Sequence, residues 1–274
     1  MKKLFVISTI LVLLTACGST TTSNNKSDII LIGHRGASGY APEHTMESFR
    51  LAKEMGADVL EFDVQMTKDG VLIAFHDTEV SRTTNGSGEV KNMTLEEIKK
   101  LDAGSWFNEA YPQHFSEEYY GAKIPTVKEI FEEFGNSINY SIETKAPQKY
   151  PGVEEKLVDL LNEYSLLDKK GQVSLHSASK ESLLRIHELS PDTELGLILW
   201  YTKTATISDE ELRNLKEYIT YIVPNFDYIS EEYVTKLKGA GYSIQAYTVN
   251  QKNDADRLAD WGVDGVITNY LDIY

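Results

Sequence analysis

Cysteine is almost missing: the 274 residues hold one, Cys17. That excludes an internal disulfide framework and any site built from several thiolates. Even an exported form of the chain would be held by its packed core alone. Positive charge is also short. There are 27 Lys and Arg against 42 Asp and Glu, a formal net charge of -15. Binding nucleic acid requires a basic surface, so no nucleic-acid partner is expected. An anionic substrate would need local positive charge to be held here. The apolar run LFVISTILVLL (4–14) is too short for a comfortable membrane span. No GxGxxG follows the first β-like run, which removes the usual dinucleotide fingerprint.

The N-terminal end has the order of an export signal. Lys2 and Lys3 precede the apolar run, and LTAC closes it at Cys17. A basic start, a short apolar middle and small residues before a cut describe a signal peptide over 1–16. LTAC resembles the lipobox of bacterial lipoproteins. The resemblance implies that Cys17 receives a diacylglyceryl group and becomes the new N-terminus. The mature protein is then expected on the extracytoplasmic face of a bacterial cell membrane, its membrane contact made through the lipid anchor at Cys17. GSTTTSNNKS (18–27) is polar and aperiodic, so residues 17–28 form the lipidated end and a flexible tether. The folded domain is expected over 29–274.

Within that span eight short apolar runs recur: IILIG (29–33), VLEFDV (59–64), INYSIET (138–144), QVSLHS (172–177), LGLILW (195–200), YIVP (221–224), SIQAYTV (243–249) and DGVIT (264–268). Amphipathic helical patterns lie between most of them. Several open on Ser, Thr or Asn and close on Gly, as helix caps should. Alternation of this kind means parallel strands, and eight units fit an α/β fold of the (β/α)8 TIM-barrel type. An open doubly wound sheet is the alternative. Since the chain given ends at Tyr274, soon after the eighth run, the last outer helix is expected to be missing or replaced.

One stretch breaks the alternation. QMTKDGVLIAFHD puts two β-like runs only a few residues apart, too few for a parallel crossover. Asp69-Gly70 signals a tight turn, so the second strand should overshoot the barrel and return antiparallel. A two-residue turn would pair Asp63 with His76; a bulge would shift the pairing but still return His76 near Asp63. Residues 78–122 then form an insertion after the second strand. It contains a short helix pattern, TLEEIKKLD, and an aromatic stretch, SWFNEAYPQHFSEEYY. It is expected over the barrel mouth.

Barrel active sites lie at the C-terminal strand ends. There the chain carries His34-Arg35, Glu61 and Asp63, then His76-Asp77 on the returning hairpin, Glu143 and Lys145, His176 and Tyr247. Glu61-x-Asp63 and Glu143-x-Lys145 have strand spacing, so each pair shares a face. Inward carboxylates are costly unless paired or bound to a cation. Glu61, Asp63 and Glu143 converging would make an oxygen site for one divalent cation, Ca²⁺ or Mg²⁺; salt bridges to Arg35 and Lys145 without a metal are the alternative. Two imidazoles, His34 and His76, beside such a cluster suit phosphodiester cleavage as base and acid. His176, Tyr247 and Glu43 are weaker candidates. His44 is expected to help cap the first helix, and His114 and His187 to be surface or helix residues.

HRGASGYAPEHTMESF, EFDVQMTKDGVLIAFHD, RTTNGSGEV, LDAGSWF, IPTVKEIF, SIETK and GVDGVITN together resemble the glycerophosphodiester phosphodiesterase family, in that family's order. The resemblance implies a (β/α)8 barrel, a divalent cation and release of sn-glycerol 3-phosphate and an alcohol from a small-molecule glycerophosphodiester. It matches His34 and His76 to the acid/base pair, and Glu61, Asp63 and Glu143 to the metal ligands. Arg35 and Lys145 match phosphate contacts, with Glu43 in the PE segment and Tyr247 also near the substrate. It further implies attack by the substrate's own glycerol hydroxyl, through a cyclic phosphate that water opens. The chain departs from the family pattern at His44, usually Asn, and at Tyr247, usually Trp. A lysophospholipid or a teichoic-acid-type glycerol-phosphate polymer is the alternative substrate. A non-catalytic glycerophosphodiester-binding lipoprotein is a third possibility, against which the barrel pattern and paired histidines argue.

Overall fold

The computed structural model describes residues 29–274. The signal segment, Cys17 and the tether lie outside the described residues. Nine strands form one sheet: β1 (Ile30–His34), β2 (Val59–Met66), β3 (Leu72–Ala74), β4 (Asn139–Thr144), β5 (Val173–Ser177), β6 (Glu194–Leu199), β7 (Tyr221–Pro224), β8 (Ser243–Ala246) and β9 (Gly265–Thr268). All but β3 run parallel, and β1 pairs with both β2 and β9. The ring therefore closes into an eight-stranded TIM barrel, not an open sheet. Each of the eight apolar runs became one barrel strand.

Seven helices surround the ring: α1 (Met46–Glu54), then, past the insertion helices α2 (Leu95–Lys100) and α3 (Ser105–Ala110), α4 (Val127–Phe134), α5 (Val153–Glu163), α6 (Lys180–Leu189), α7 (Asp209–Leu215), α8 (Glu231–Gly239) and α9 (Lys252–Trp261). Their starts follow from local chemistry. The Thr45, Ser179, Ser208 and Ser230 side chains each accept a hydrogen bond from a first-turn N–H, and Thr126 and Glu129 form a full capping box. After β9 the described residues hold only a 3₁₀ turn, Leu271–Ile273, where an eighth outer helix would stand.

Strand alternation sorts β2 into two faces. Leu60, Phe62 and Val64 belong to the core between sheet and helices, where the Phe62 ring lies 5.8 Å from Phe49 and 6.4 Å from Phe131. Glu61, Asp63 and Gln65 therefore face the barrel interior, and all three are buried. This opposition puts acids inside the barrel.

The β2–β3 hairpin corrects one expectation. Val64 pairs with Ala74 and Met66 with Leu72, so Asp63 lies opposite Phe75, whose N–H donates to the Asp63 carbonyl at 2.9 Å. The loop holds three residues, not two, with Gly70 at φ +82 closing it between Thr67 and Val71. A three-residue loop needs that left-handed position, which glycine occupies without a Cβ clash. Beyond β3 the insertion has a small core of its own, around Ile73, Phe75, Val80, Val90 and Ile98. It leans on the β1–α1 loop, where the Tyr119 hydroxyl donates to the Tyr40 carbonyl at 3.1 Å.

Candidate active site

The first strand ends in a turn that aims its backbone inward. Arg35 and His44 both have positive φ, 56 and 57. Such values are unusual for residues with a Cβ and cluster where surrounding contacts enforce them. Here the Arg35 N–H donates to Glu61 Oε2 at 2.9 Å, and its carbonyl accepts from Ser48 Oγ and from the His44 N–H. Gly36 follows at φ +85, and a Cβ there would meet Ser48 at 2.4 Å, so α1 can approach this closely only against glycine. The turn leaves the Arg35 guanidinium 2.8 Å from Glu43 Oε1 and 3.5 Å from Asp63 Oδ2. His34 Nδ1 lies 2.6 Å from Asn269 Oδ1, at the end of the neighbouring β9. Desolvation, and then the Arg35 charge, lower the His34 imidazole to about 4.

The acids come from adjacent strands in register. His34 pairs with Glu61 across β1–β2, Asp63 with Glu143 across β2–β4, and Glu143 with His176 across β4–β5. Glu61, Glu143 and His176 each offer a ligand atom, all within 4.8 Å of one another, and all three residues are buried. Asp63 stands beside this group. Lys145 Nζ lies 3.0 Å from Glu143 Oε1 and 3.5 Å from Asp63 Oδ1.

Burial works to raise the Asp63 carboxyl, but Lys145, His44 and Arg35 outweigh it and hold it well below the usual range. Burial and then Asp63 push the Glu143 carboxyl well up, despite Lys145. Asp63 Oδ2 is buried without a hydrogen-bond partner. Crowded buried carboxyls, one of them pushed up by its neighbour, are what a divalent cation would relieve, so this donor set fits one. His176 adds a nitrogen that carboxylate spacing alone left as a weaker candidate. Its Nδ1 is 3.1 Å from Ser141 Oγ, which turns Nε2 toward Glu61.

The hairpin brings His76 close to the same charges, those of Asp63, Arg35 and Lys145. His76 Nδ1 is 2.5 Å from Asp77 Oδ1. Gln65, from inside the barrel, donates to the backbone carbonyls of both His76 and Asp77. Arg82 bonds Asp77 Oδ2 and makes a two-pronged contact with Glu43, at 2.7 and 2.9 Å. Burial lowers the His76 imidazole; Asp63 and Asp77 oppose that.

Three residues make contacts here that strand-end reasoning did not assign. Asn269 sits just past the last strand, a position the same rule covers. Arg82 lies in the insertion, where no periodicity marks it. His44 does not cap α1: Thr45 does, and the buried His44 ring instead accepts the Asp63 N–H at Nε2, 3.0 Å away. Tyr247 follows β8; burial and then Glu143 raise its phenol to about 12. Its ring lies 6.5 Å from Trp200, which is 71% exposed at the end of β6.

Known proteins resemble this chain over most of its length. Residues 34–273 match the model of the glycerophosphoryl diester phosphodiesterase family. A glycerophosphodiester phosphodiesterase of Bacillus subtilis (strain 168) is 48% identical over 249 residues, covering 90% of this chain and 85% of its own. One from Caldanaerobacter subterraneus subsp. tengcongensis is 37% identical over 250 residues, covering 88% and 93%. Among solved structures, an Oleispira antarctica phosphodiesterase in complex with the product sn-glycerol-3-phosphate superposes with a TM-score of 0.78. It is 29% identical, with 89% of this chain and 94% of the other covered.

Proposed function

The chain belongs to the glycerophosphodiester phosphodiesterase family; from that premise we propose that it hydrolyses glycerophosphodiesters to sn-glycerol 3-phosphate and an alcohol by two-histidine acid/base catalysis. The observation that supports this reading is that both imidazoles lie within reach of one charged group: His34 is influenced by Arg35, Glu61 and Asp63, and His76 by Asp63, Arg35 and Lys145. A divalent ion, Ca²⁺ or Mg²⁺, held by Glu61, Asp63 and Glu143, with His176 beside them, would offset charge on the phosphoryl oxygens.

The protein's own groups divide the remaining work. Arg35 and Lys145 supply the positive charge that an acidic protein otherwise lacks, and bind the phosphate. Asn269 accepts from His34 Nδ1–H and leaves Nε2 free; with its basicity lowered, the ring is neutral at rest and acts as base. It takes the proton of the glycerol hydroxyl as that oxygen attacks phosphorus. His76, as the imidazolium with its Nδ1–H held by Asp77, gives its Nε2 proton to the leaving alcohol oxygen as the other P–O bond breaks. Water then opens the cyclic phosphate with the two roles exchanged. The first step is intramolecular and gains from proximity.

Release of glycerol 3-phosphate from glycerophosphocholine tests this. Chelation should stop it and added Ca²⁺ or Mg²⁺ restore it. Full activity after thorough chelation would overturn the metal's part, and full activity in His34→Ala or His76→Ala the acid/base part. The proposal includes an anchor: lipid on Cys17 would hold the enzyme on the extracytoplasmic face. The LTAC segment supports it, and a Cys17→Ser protein that still partitions with membranes would refute it.

A further inference from the structure

We propose that Arg82, outside the barrel, is a positioning residue that sets the geometry of His76 through Asp77 and of Arg35 through Glu43. It rests on the functional assignment of His76 and Arg35 above. Arg82 bonds the carboxylates of Asp77 and Glu43, not His76 or Arg35 themselves. It lies between the two carboxylates that do touch them. Its guanidinium bonds Asp77 Oδ2 on one edge and both Glu43 oxygens on the other. Asp77 Oδ1 holds His76 Nδ1, and Glu43 Oε1 holds Arg35 Nη1. The result is a row of alternating charge, Arg35, Glu43, Arg82, Asp77, His76, that joins Arg35 to His76.

The surroundings leave this contact a specific task. Gln65 already fixes the backbone at His76 and Asp77, so what remains to be set is the torsion of the Asp77 side chain. Arg82 itself stands on a fixed backbone. Val80 is fully buried, its N–H donates to the Gly88 carbonyl, and its carbonyl accepts from Thr84 Oγ1. Only a planar fork with several fixed N–H donors can bond two carboxylates in this way; an ammonium is a point charge. Burial works against the Glu43 charge, but the Arg82 hydrogen bonds and Arg35 outweigh it and keep the carboxylate ionised. The Arg82 side chain is 45% exposed, so the position can be reached from solution.

Arg82→Ala, Asp77→Asn and the double variant are assayed as metal-loaded full-length protein. Arg82→Ala should lose about 10–100-fold in kcat. The double variant should fall no further than the deeper single, since both act on one imidazole. Millimolar guanidinium ion should restore part of kcat in Arg82→Ala and nothing in Asp77→Asn. Arg82→Lys should stay close to Arg82→Ala while keeping the wild-type melting temperature. Wild-type kcat in Arg82→Ala, additive losses, or no response to guanidinium would each overturn the proposal. A second readout does not need turnover: the His76 Nδ1 proton resonance should move in Arg82→Ala, and an unmoved resonance overturns the proposal. Absence of glycerol 3-phosphate release by the wild type would instead refute the assigned function, with the resonance still judging Arg82.

Discussion

The two halves of the barrel differ in what their strands deliver. β1 through β5, with the hairpin, bring His34, Arg35, Glu61, Asp63, His76, Glu143, Lys145 and His176 to the mouth. β6 through β9 bring Tyr221, Val223 and Ile267, all buried, and end in Trp200, Tyr247 and Asn269. The chemistry is thus one-sided. Grouping the acids and cations lets each offset the desolvation of the next, which a scattered arrangement would not allow. The second half is a packed wall that fixes this group from behind: the Tyr221 hydroxyl lies 3.4 Å from His176 Nδ1, and Asn269 holds His34.

Breaking the first half should therefore cost activity before stability. The largest expected effect is on turnover: His34→Ala and His76→Ala should each lower kcat by about 10³-fold with the fold retained. Comparable kcat in both variants and the wild type would erase the distinction between the halves.

Glu43→Gln should come next, and it affects stability. The Glu43 carboxyl is held well below its ordinary 4.5, because the Arg82 hydrogen bonds and the Arg35 charge outweigh its burial. A depressed carboxyl contributes stability that is fully present above 4.5 and is lost as pH falls through the folded-state value. Urea unfolding at pH 7 should show the variant weaker by roughly 3 kcal/mol, with the gap closing on acidification below 4.5. A gap that does not vary with pH would show that the two arginines do not hold this carboxylate.

The smallest of the three belongs to the second half. A Cβ on Gly196 of β6 would meet the Tyr221 ring at 2.2 Å. Gly196→Ala should cost about 2 kcal/mol of stability through overpacking, with the folded fraction largely keeping its kcat. If kcat instead collapsed while stability held, the wall behind His176 would belong to the chemistry, and the contrast drawn above would sharpen into a shared site.

Much of this was legible beforehand for a physical reason. Period-2 strands, capped helices and strand-end placement are local signals, so the eight barrel strands and the residues at their ends could be read off directly. The resemblance to the family added the identity of the substrate class and the cyclic-phosphate route. The hairpin register was misread by one residue, because Asp69-Gly70 is compatible with both a two- and a three-residue loop. Only the left-handed Gly70 between Thr67 and Val71 distinguishes them. His44 looked like part of a helix start because it precedes Thr45, and nothing nearby in the chain announces its contact with Asp63.

Residue types and their strand ends were thus determined by the sequence itself: acids facing inward on β2, two histidines at strand or hairpin ends, and a strongly acidic chain. Tertiary structure alone decided which of these groups meet. Asn269 reaches His34 only because β9 closes against β1, and Arg82 reaches Glu43 only because the insertion folds back on the β1–α1 loop. Periodicity carries information over one or two turns of chain. Ring closure and loop packing act across hundreds of residues, and they set the distances on which the electrostatics of the site depend.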